Sequence, residues 1–424
     1  MRPPSGSGAA ATLIAVVIAA CGTSSSPSSG GGSPRTTIAG PPTPAPAFGL
    51  TWAQIEDVER PTDAFASAIP TAPSGPGTAG HPGHFPGQSI LADVAVAGDR
   101  LVAVGYTFIA GAWTADSWTS TNGNHWSLAP VDTRPGSFAT SVTARRGGGF
   151  VAVGRVGSEP AAWRSDDGRS WAAAAVDGLD RDPGRLPERI ETVLATADGL
   201  IAGGSQGPEL GDRRARFWRS IDGATWTPLP DDAAFAGAEV ISIASATDRG
   251  YVALGRVGTG QRATSSIAWT SADGMAWTRR EDPALAGGLV AAIVAKEAGG
   301  WLAVGSDGDE REAVAWSSTD GVAWTRAPRE DSRLHSGEKI RMTDVVATSE
   351  GYVGIGNFVG LQFGEGTSWV SLDGVTWRRA PAQASLGQGE PEAITAWRDR
   401  LVIVGSRGAP DNYIPSAWVG PTAP

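Results

Sequence analysis

The chain has only four tyrosines. Two of them, Tyr106 and Tyr413, fall in segments where a phenol would be free to meet a ligand. A phenolate or a pair of carboxylates flanking a glycosidic bond are the groups that hydrolyse it. Arginine forks grip carboxylate or sulfate groups bidentately; Arg155 and Arg256 stand at corresponding places in a recurring pattern, and Arg407 lies one residue beyond the corresponding Ser406. His81-Pro-Gly-His84 has a metal-compatible spacing. However, it lies in a Pro/Gly-rich connection (71–88) with no evident third ligand, and reads as a loop. Asp307-Gly-Asp309-Glu310 lacks the spacing of a calcium loop. Arg213-Arg214-Ala-Arg216 reads as an exposed loop. No phosphate loop, redox cysteine pair or serine elbow occurs, and no cofactor is expected. The most regular feature is of another kind: the stretch "WRSIDGATW" at 218–226, which recurs along the chain.

Bulk properties bound the answer. At 424 residues the chain exceeds the ~250–300 residues at which single cores stop growing, so several domains or a modular fold is expected. Net charge is −10, which leaves no electrostatic footprint for nucleic acid. The 58 glycines and 30 prolines suit a turn-rich all-β protein. The single cysteine, Cys21, excludes an intramolecular disulfide.

The N-terminus reads as an address. An apolar run from Ala9 to Ala20 follows Met1-Arg2 and has the ~7–15-residue length of a secretory signal core, short of the ~20 residues that span a bilayer. It ends Ile18-Ala19-Ala20-Cys21, which resembles the bacterial lipobox. That resemblance implies cleavage before Cys21, lipidation of its sulfur, and anchoring to the outer face of the cell membrane. Residues 1–20 are thus expected to be a signal peptide. Residues 21–47, rich in Ser, Gly and Pro, are expected to be a lipidated, disordered tether.

From residue 48 to 420 the sequence repeats. Two apolar strands ending in glycine recur seven times, with the glycines at Gly105, Gly154, Gly204, Gly255, Gly305, Gly356 and Gly405. Each is followed by a tryptophan: Trp118, Trp163, Trp218, Trp269, Trp316, Trp369 and Trp418. In the first six units a second follows eight residues on: Trp126, Trp171, Trp226, Trp277, Trp324 and Trp377. Four short strands, a to d, in about fifty residues make one propeller blade. The seventh unit stops short of a strand d, and "FGLTW" at 48–52 carries an unmatched Trp52. The expectation is therefore an all-β, seven-bladed β-propeller with four antiparallel strands per blade. Strand 48–52 closes it by completing the last blade, and 421–424 form a tail.

Two hairpins fit "WRSIDGATW". A two-residue Asp-Gly type I′ turn pairs Arg219 with Trp226. A three-residue loop with Gly223 in the left-handed region pairs Trp218 with Trp226, and is favoured for its aromatic cross-strand pair. In either, Asp222 and Ser220 accept hydrogen bonds from loop amides. The equivalents Asp167, Asp273, Asp320 and Asp373 are expected to do the same. Asn122 replaces the aspartate in the first unit, and an amide is neither base nor nucleophile, so the motif reads as structural. It resembles the Asp-box, or BNR repeat, of sialidases and related propellers, differing in that aspartate and glycine are adjacent. The resemblance implies a sialidase-like propeller whose boxes are scaffold, remote from the active site. Against sialidase chemistry, the Arg-Ile-Pro signature is missing near the N-terminus. Arg185-Leu186-Pro187 approximates it in the wrong place, and no arginine triad can be matched.

The c–d turns hold one length, whereas the stretch after each repeat glycine varies. Function is therefore expected at the b–c end. There the residues after each glycine form a polar ring of ligand-binding candidates: Tyr106, Arg155, Ser205, Arg256, Ser306, Asn357 and Ser406 followed by Arg407. Asp93, Glu191, Asp344 and Glu392 are expected to line the channel mouth. Together these features point to an exported, lipid-anchored, monomeric recognition module for an extracellular glycan, peptide or protein. The alternative is a carbohydrate-active enzyme of sialidase type, with Tyr106 or Tyr413 as nucleophile.

Overall fold

The computed structural model describes residues 50–61, 87–178, 186–208, 212–246, 248–258, 265–328, 339–359, 365–409 and 412–422. His81 and His84 lie outside them, as do Cys21 and the segment before Leu50.

Seven antiparallel sheets follow one another along the chain, each built on four strands in the order a–b–c–d. The inner strands a are Ser89–Ala97, Ser137–Ala144, Glu188–Thr196, Ala238–Ala246, Gly288–Ala295, Lys339–Thr348 and Gly389–Trp397. They belong to blades 1 to 7 in turn. The protein is a seven-bladed β-propeller. Blade 7 is completed from the other end of the chain: Ala53–Ile55 pairs antiparallel with strand c, Asn412–Pro421, and sets Gln54 opposite Trp418. The closing strand thus starts just after the 48–52 stretch expected to form it, and Trp52 precedes it. The chain then adds Asp57–Val58 in parallel to the outer strand of blade 1, so one short segment stitches two blades. Ala175–Val176 repeats this device on the edge of blade 3.

The tryptophans fill the spaces between blades. Trp218 and Trp226 of blade 3 pack with Val151 and Val153 of blade 2. Trp269 and Trp277 of blade 4 pack with Phe217 of blade 3, whose ring stacks on Trp277 at 4.4 Å. Trp418 and Trp52 pack together against Val353 and Ile355 of blade 6. Trp52 therefore occupies the place of the missing second tryptophan. Burying so large a ring at each joint, 150–250 Å² apiece, lets a seven-part ring hold without a disulfide.

Neither expected hairpin forms. Trp218 pairs with Pro228 and Arg219 with Thr227, and in blade 2 Ser165 faces Trp171. The serine thus sits opposite the second tryptophan across a five-residue loop, and the two tryptophans are diagonal neighbours on one face. The loop holds itself. Ser220 Oγ accepts from Gly223 N at 2.8 Å, Asp222 Oδ1 accepts from Ala224 N at 2.9 Å, and Trp226 Nε1 donates to the Gly223 carbonyl at 3.3 Å. Gly223 has φ +81°, and a Cβ there would meet Val151 of the preceding blade at 2.4 Å, so glycine is required twice over. Backbone N–H bonds from residues such as Ser170, Met275 and Val322 hold Asp167, Asp273 and Asp320 below the usual carboxylate range. Asn122 accepts from Asn124 N and His125 N, both at 2.9 Å, in the same role.

The seven repeat glycines have a different cause. Every strand a is bulged, as between Leu91 and Asp93 or between Val290 and Ala292. The bulge pushes a carbonyl toward strand b. A Cβ at Gly105 would meet the Ile90 carbonyl oxygen at 1.9 Å, and one at Gly305 the Leu289 oxygen at 2.1 Å. Only glycine fits.

Candidate functional site

Each bulge turns its extra residue toward the propeller axis, at the b–c end. Pairing registers then place a ring of strand a residues beside the expected ring on strand b. Tyr106 is paired with Ile90, Arg155 with Phe138, Ser205 with Arg189, Arg256 with Glu239, Ser306 with Leu289, Asn357 with Arg341, and Ser406 with Glu390. The expected ring thus exists as a register. Its chemistry is shared with charged strand a partners that sequence reasoning missed: Arg189, Glu239, Arg341 and Glu390. Their signal was present in the alternation around the bulges, Arg189-Ile-Glu191 and Glu390-Pro-Glu392.

Most of this ring is engaged internally. Arg155 lies over the Phe138 ring at 4.0 Å, and its Nη1 donates to the Gly157 carbonyl. Ser205 is buried and accepts from Arg189 Nε at 3.2 Å. Asn357, also buried, accepts from Arg341 Nε at 3.2 Å. Arg407 reaches Glu56 at 3.8 Å on the outside. Tyr106 packs edge-on against Trp113 and Phe138 at 5.1 and 5.0 Å. Burial, with the charge of Glu392, pushes its phenol up to about 12, away from the ionised form a nucleophile needs. Tyr413 donates to Glu390 Oε1 at 3.3 Å.

The axial charges are mostly paired. Arg189 bridges Glu191 at 2.8 Å and Glu239 at 3.5 Å, and Arg213 also contacts Glu239. Glu310 holds Lys339 at 3.4 Å and Arg341 at 3.8 Å. Arg256 differs: its Nε donates to the Val290 carbonyl at 2.8 Å, and among the described residues no carboxylate lies within ion-pair distance. Burial pulls its guanidinium below the ordinary value. It lines an axial cleft of about 170 Å³ with Ser306, Glu310, Arg341, Thr343 and Glu392. Burial pushes Glu392 up to about 7, against the pull of Arg341, and raises Glu191 and Glu390 as well. Carboxylates held toward the neutral form leave the cations of this end incompletely cancelled.

Asp93 and Asp344 do not line the mouth freely. Asp93 accepts from Val142 N and the Ser141 hydroxyl of blade 2, both at 2.8 Å, and Asp344 accepts from Ile394 N of blade 7 at 2.8 Å. They lock neighbouring inner strands together. Burial raises Asp93 to about 6 and Asp344 to about 7. Among the described residues no three His, Cys, Asp or Glu side chains are grouped as metal ligands.

No protein-family model matches the chain, and no curated protein matches it. Solved structures do. YCF48 bound to D1 peptide aligns with TM-score 0.52 at 14% identity, covering 89% of this chain and 98% of that one. An ancestral GH74 enzyme aligns with TM-score 0.51 at 14% identity, covering 78% of this chain and 48% of that one. A mutant Trypanosoma rangeli sialidase displaying trans-sialidase activity aligns with TM-score 0.45 at 11% identity, covering 89% and 60%. The chain thus spans nearly all of the first and about half of the second. At such identities the likeness is one of fold.

Proposed function

We propose that this chain is an exported propeller, anchored through lipidated Cys21, that binds a peptide or an extended segment of a protein partner at its b–c end without covalent chemistry. The observation that carries this reading is the axial cleft lined by the Arg256 guanidinium, which has no carboxylate within ion-pair distance among the described residues. At about 170 Å³ the cleft is smaller than the ~300–1,000 Å³ of small-molecule sites, so it suits one side chain or chain end of a larger ligand. The remaining charges, mostly paired with one another, form a polar rim. The solved YCF48 structure, with its D1 peptide, is a precedent for a peptide on this fold. The test is fluorescence anisotropy with a labelled peptide library. Binding should fall at least tenfold in Arg256→Ala while melting stays unchanged. Affinities equal in variant and wild type would refute the reading.

One contact favours a second reading, an exo-glycosidase. Tyr413 donates to Glu390, a phenol beside a carboxylate able to take its proton. Turnover of fluorogenic glycosides that vanishes in Tyr413→Phe would establish it in place of the first.

A further inference from the structure

Four of the five exposed large apolar side chains among the described residues occupy c–d turns of consecutive blades. They are Ile221 (88% exposed) in blade 3, Met275 (52%) in blade 4, Val322 (38%) in blade 5 and Leu372 (63%) in blade 6. A water-facing turn gains nothing from such residues, and clustered ones mark a contact surface. The matching positions of blades 1 and 2 are polar: Thr121 and Asn124, Asp166 and Arg169. Blade 7 has no c–d turn, because the chain enters there. Trp52 stacks against Gly420, and the strand beginning at Ala53 leaves from the same end as the turns. The turns themselves are fixed: Arg219 donates to the Asp273 carbonyl at 2.7 Å and Arg249 to the Thr319 carbonyl at 2.6 Å, each across a blade boundary. Between the turns of blades 3 and 4 lies an open groove of about 660 Å³ with Ile221 and Met275 in its walls.

We infer that the c–d end rests on the membrane, with Ile221, Met275, Val322 and Leu372 set into its interfacial layer. This rests on the lipidation proposed above. Residues 22–49 separate Cys21 from Leu50. A Ser/Gly/Pro-rich chain of that length has a root-mean-square reach of roughly 30 Å, and it joins the propeller on the end that carries the apolar arc. The bilayer is the one partner that an anchor on this side brings to the arc at high effective concentration. The turn aspartates Asp222, Asp273, Asp320 and Asp373 suit anionic headgroups poorly, so the contact is apolar and insensitive to salt. Arg256 and its cleft, on the opposite end, then face away from the membrane.

The test uses the full lipidated chain in phosphatidylcholine vesicles. With Cys21 acylated, a thiol introduced by Met275→Cys or by Ser158→Cys at the opposite end takes an environment-sensitive fluorophore alone. Lipids carrying bromine on their acyl chains should quench the label at 275 several-fold more than that at 158, equally at low and high salt. Adding Ile221→Asp and Leu372→Asp should abolish the difference without lowering the melting temperature. Equal quenching at both ends overturns the orientation. So does a blue shift at 275 that grows with protein concentration in the absence of lipid, which would mark a protein contact. Mass spectrometry of Cys21 reads the anchor separately: an unacylated Cys21 refutes anchor and orientation together, whereas equal quenching with an acylated Cys21 refutes the orientation alone.

Discussion

The indole Nε1 of Trp52 donates to Ser368 Oγ at 3.1 Å, tying residues 316 positions apart. The Trp52 backbone N–H donates to Gln383 Oε1 at 2.8 Å, and Gln383 Nε2 donates to the Leu50 carbonyl at 2.6 Å. The seam is therefore held by side-chain bonds to the blade 6–7 joint as well as by its strand. Trp52→Ala should cost roughly 3–5 kcal/mol, as for other buried aromatics cut to alanine. Calorimetry should show a fall of several degrees or more. A variant that melts with the wild type would mean that the ring is not closed here.

The repeat glycines should tolerate no side chain. At Gly305 a Cβ would lie 2.1 Å from the Leu289 carbonyl oxygen, while at Gly98 nothing lies within 4 Å. Gly305→Ala should cost about 3 kcal/mol, the upper part of the usual overpacking range. Gly98→Ala, strained only by its φ of +61°, should cost about 1 kcal/mol. Chemical denaturation of the pair checks the bulge.

The turn aspartates should be replaceable by asparagine but not by alanine. Asp273 Oδ1 accepts from Met275 N at 2.8 Å and Ala276 N at 3.1 Å, and Asn122 already makes the same bonds in blade 1. Asp273→Asn should shift stability by less than about 0.5 kcal/mol. Asp273→Ala, like the loss of a helix cap, should cost about 1 kcal/mol. A ligand-binding defect in Asp273→Asn at unchanged stability would give the motif a role beyond scaffold.

Stability should peak in mild acid. Burial raises Asp93 to about 6, and Asp116, Asp344 and Glu392 to about 7, in the folded protein. Between pH ~4 and ~7 the folded state then binds more protons than the unfolded one, so stability falls as pH rises through that window. Asp167, Asp273 and Asp320 are held below their ordinary 3.8, so their contribution is lost as pH falls below about 4. Melting temperature should therefore be highest near pH 4 and fall on both sides of it, toward pH 8 and toward pH 2. A curve that rises steadily to pH 8 would contradict the buried carboxylates.

The number of blades and the place of the seam were legible because glycine and tryptophan recur at fixed places that only a closed ring explains. The two hairpin readings failed on one point of register. Both treated Asp-Gly as the whole turn, whereas Ser220 and Asp222 wrap five residues through side-chain bonds that rival backbone pairing. The bulges were invisible in strand a, where any residue serves, and showed only as their glycine partners on strand b. For the same reason Arg189, Glu239, Arg341 and Glu390 escaped notice: a residue's neighbour across a strand pair is set by a bulge elsewhere. The parallel additions at Asp57–Val58 and Ala175–Val176 are two residues long, too short to leave a periodic signal.

Pairing the first strand with the last sets an order of events. Ala53–Ile55 leaves the ribosome early, yet its partner Asn412–Pro421 appears only after blades 1 to 6. Blades 1 to 6 are able to form as they emerge, but blade 7 must wait for Asn412–Pro421. Until then a partial arc exposes an unfilled joint at each end, with the Trp52 site on one and the face of blade 1 on the other. The interval before ring closure is when this protein is most open to proteolysis and to misassembly with a second copy.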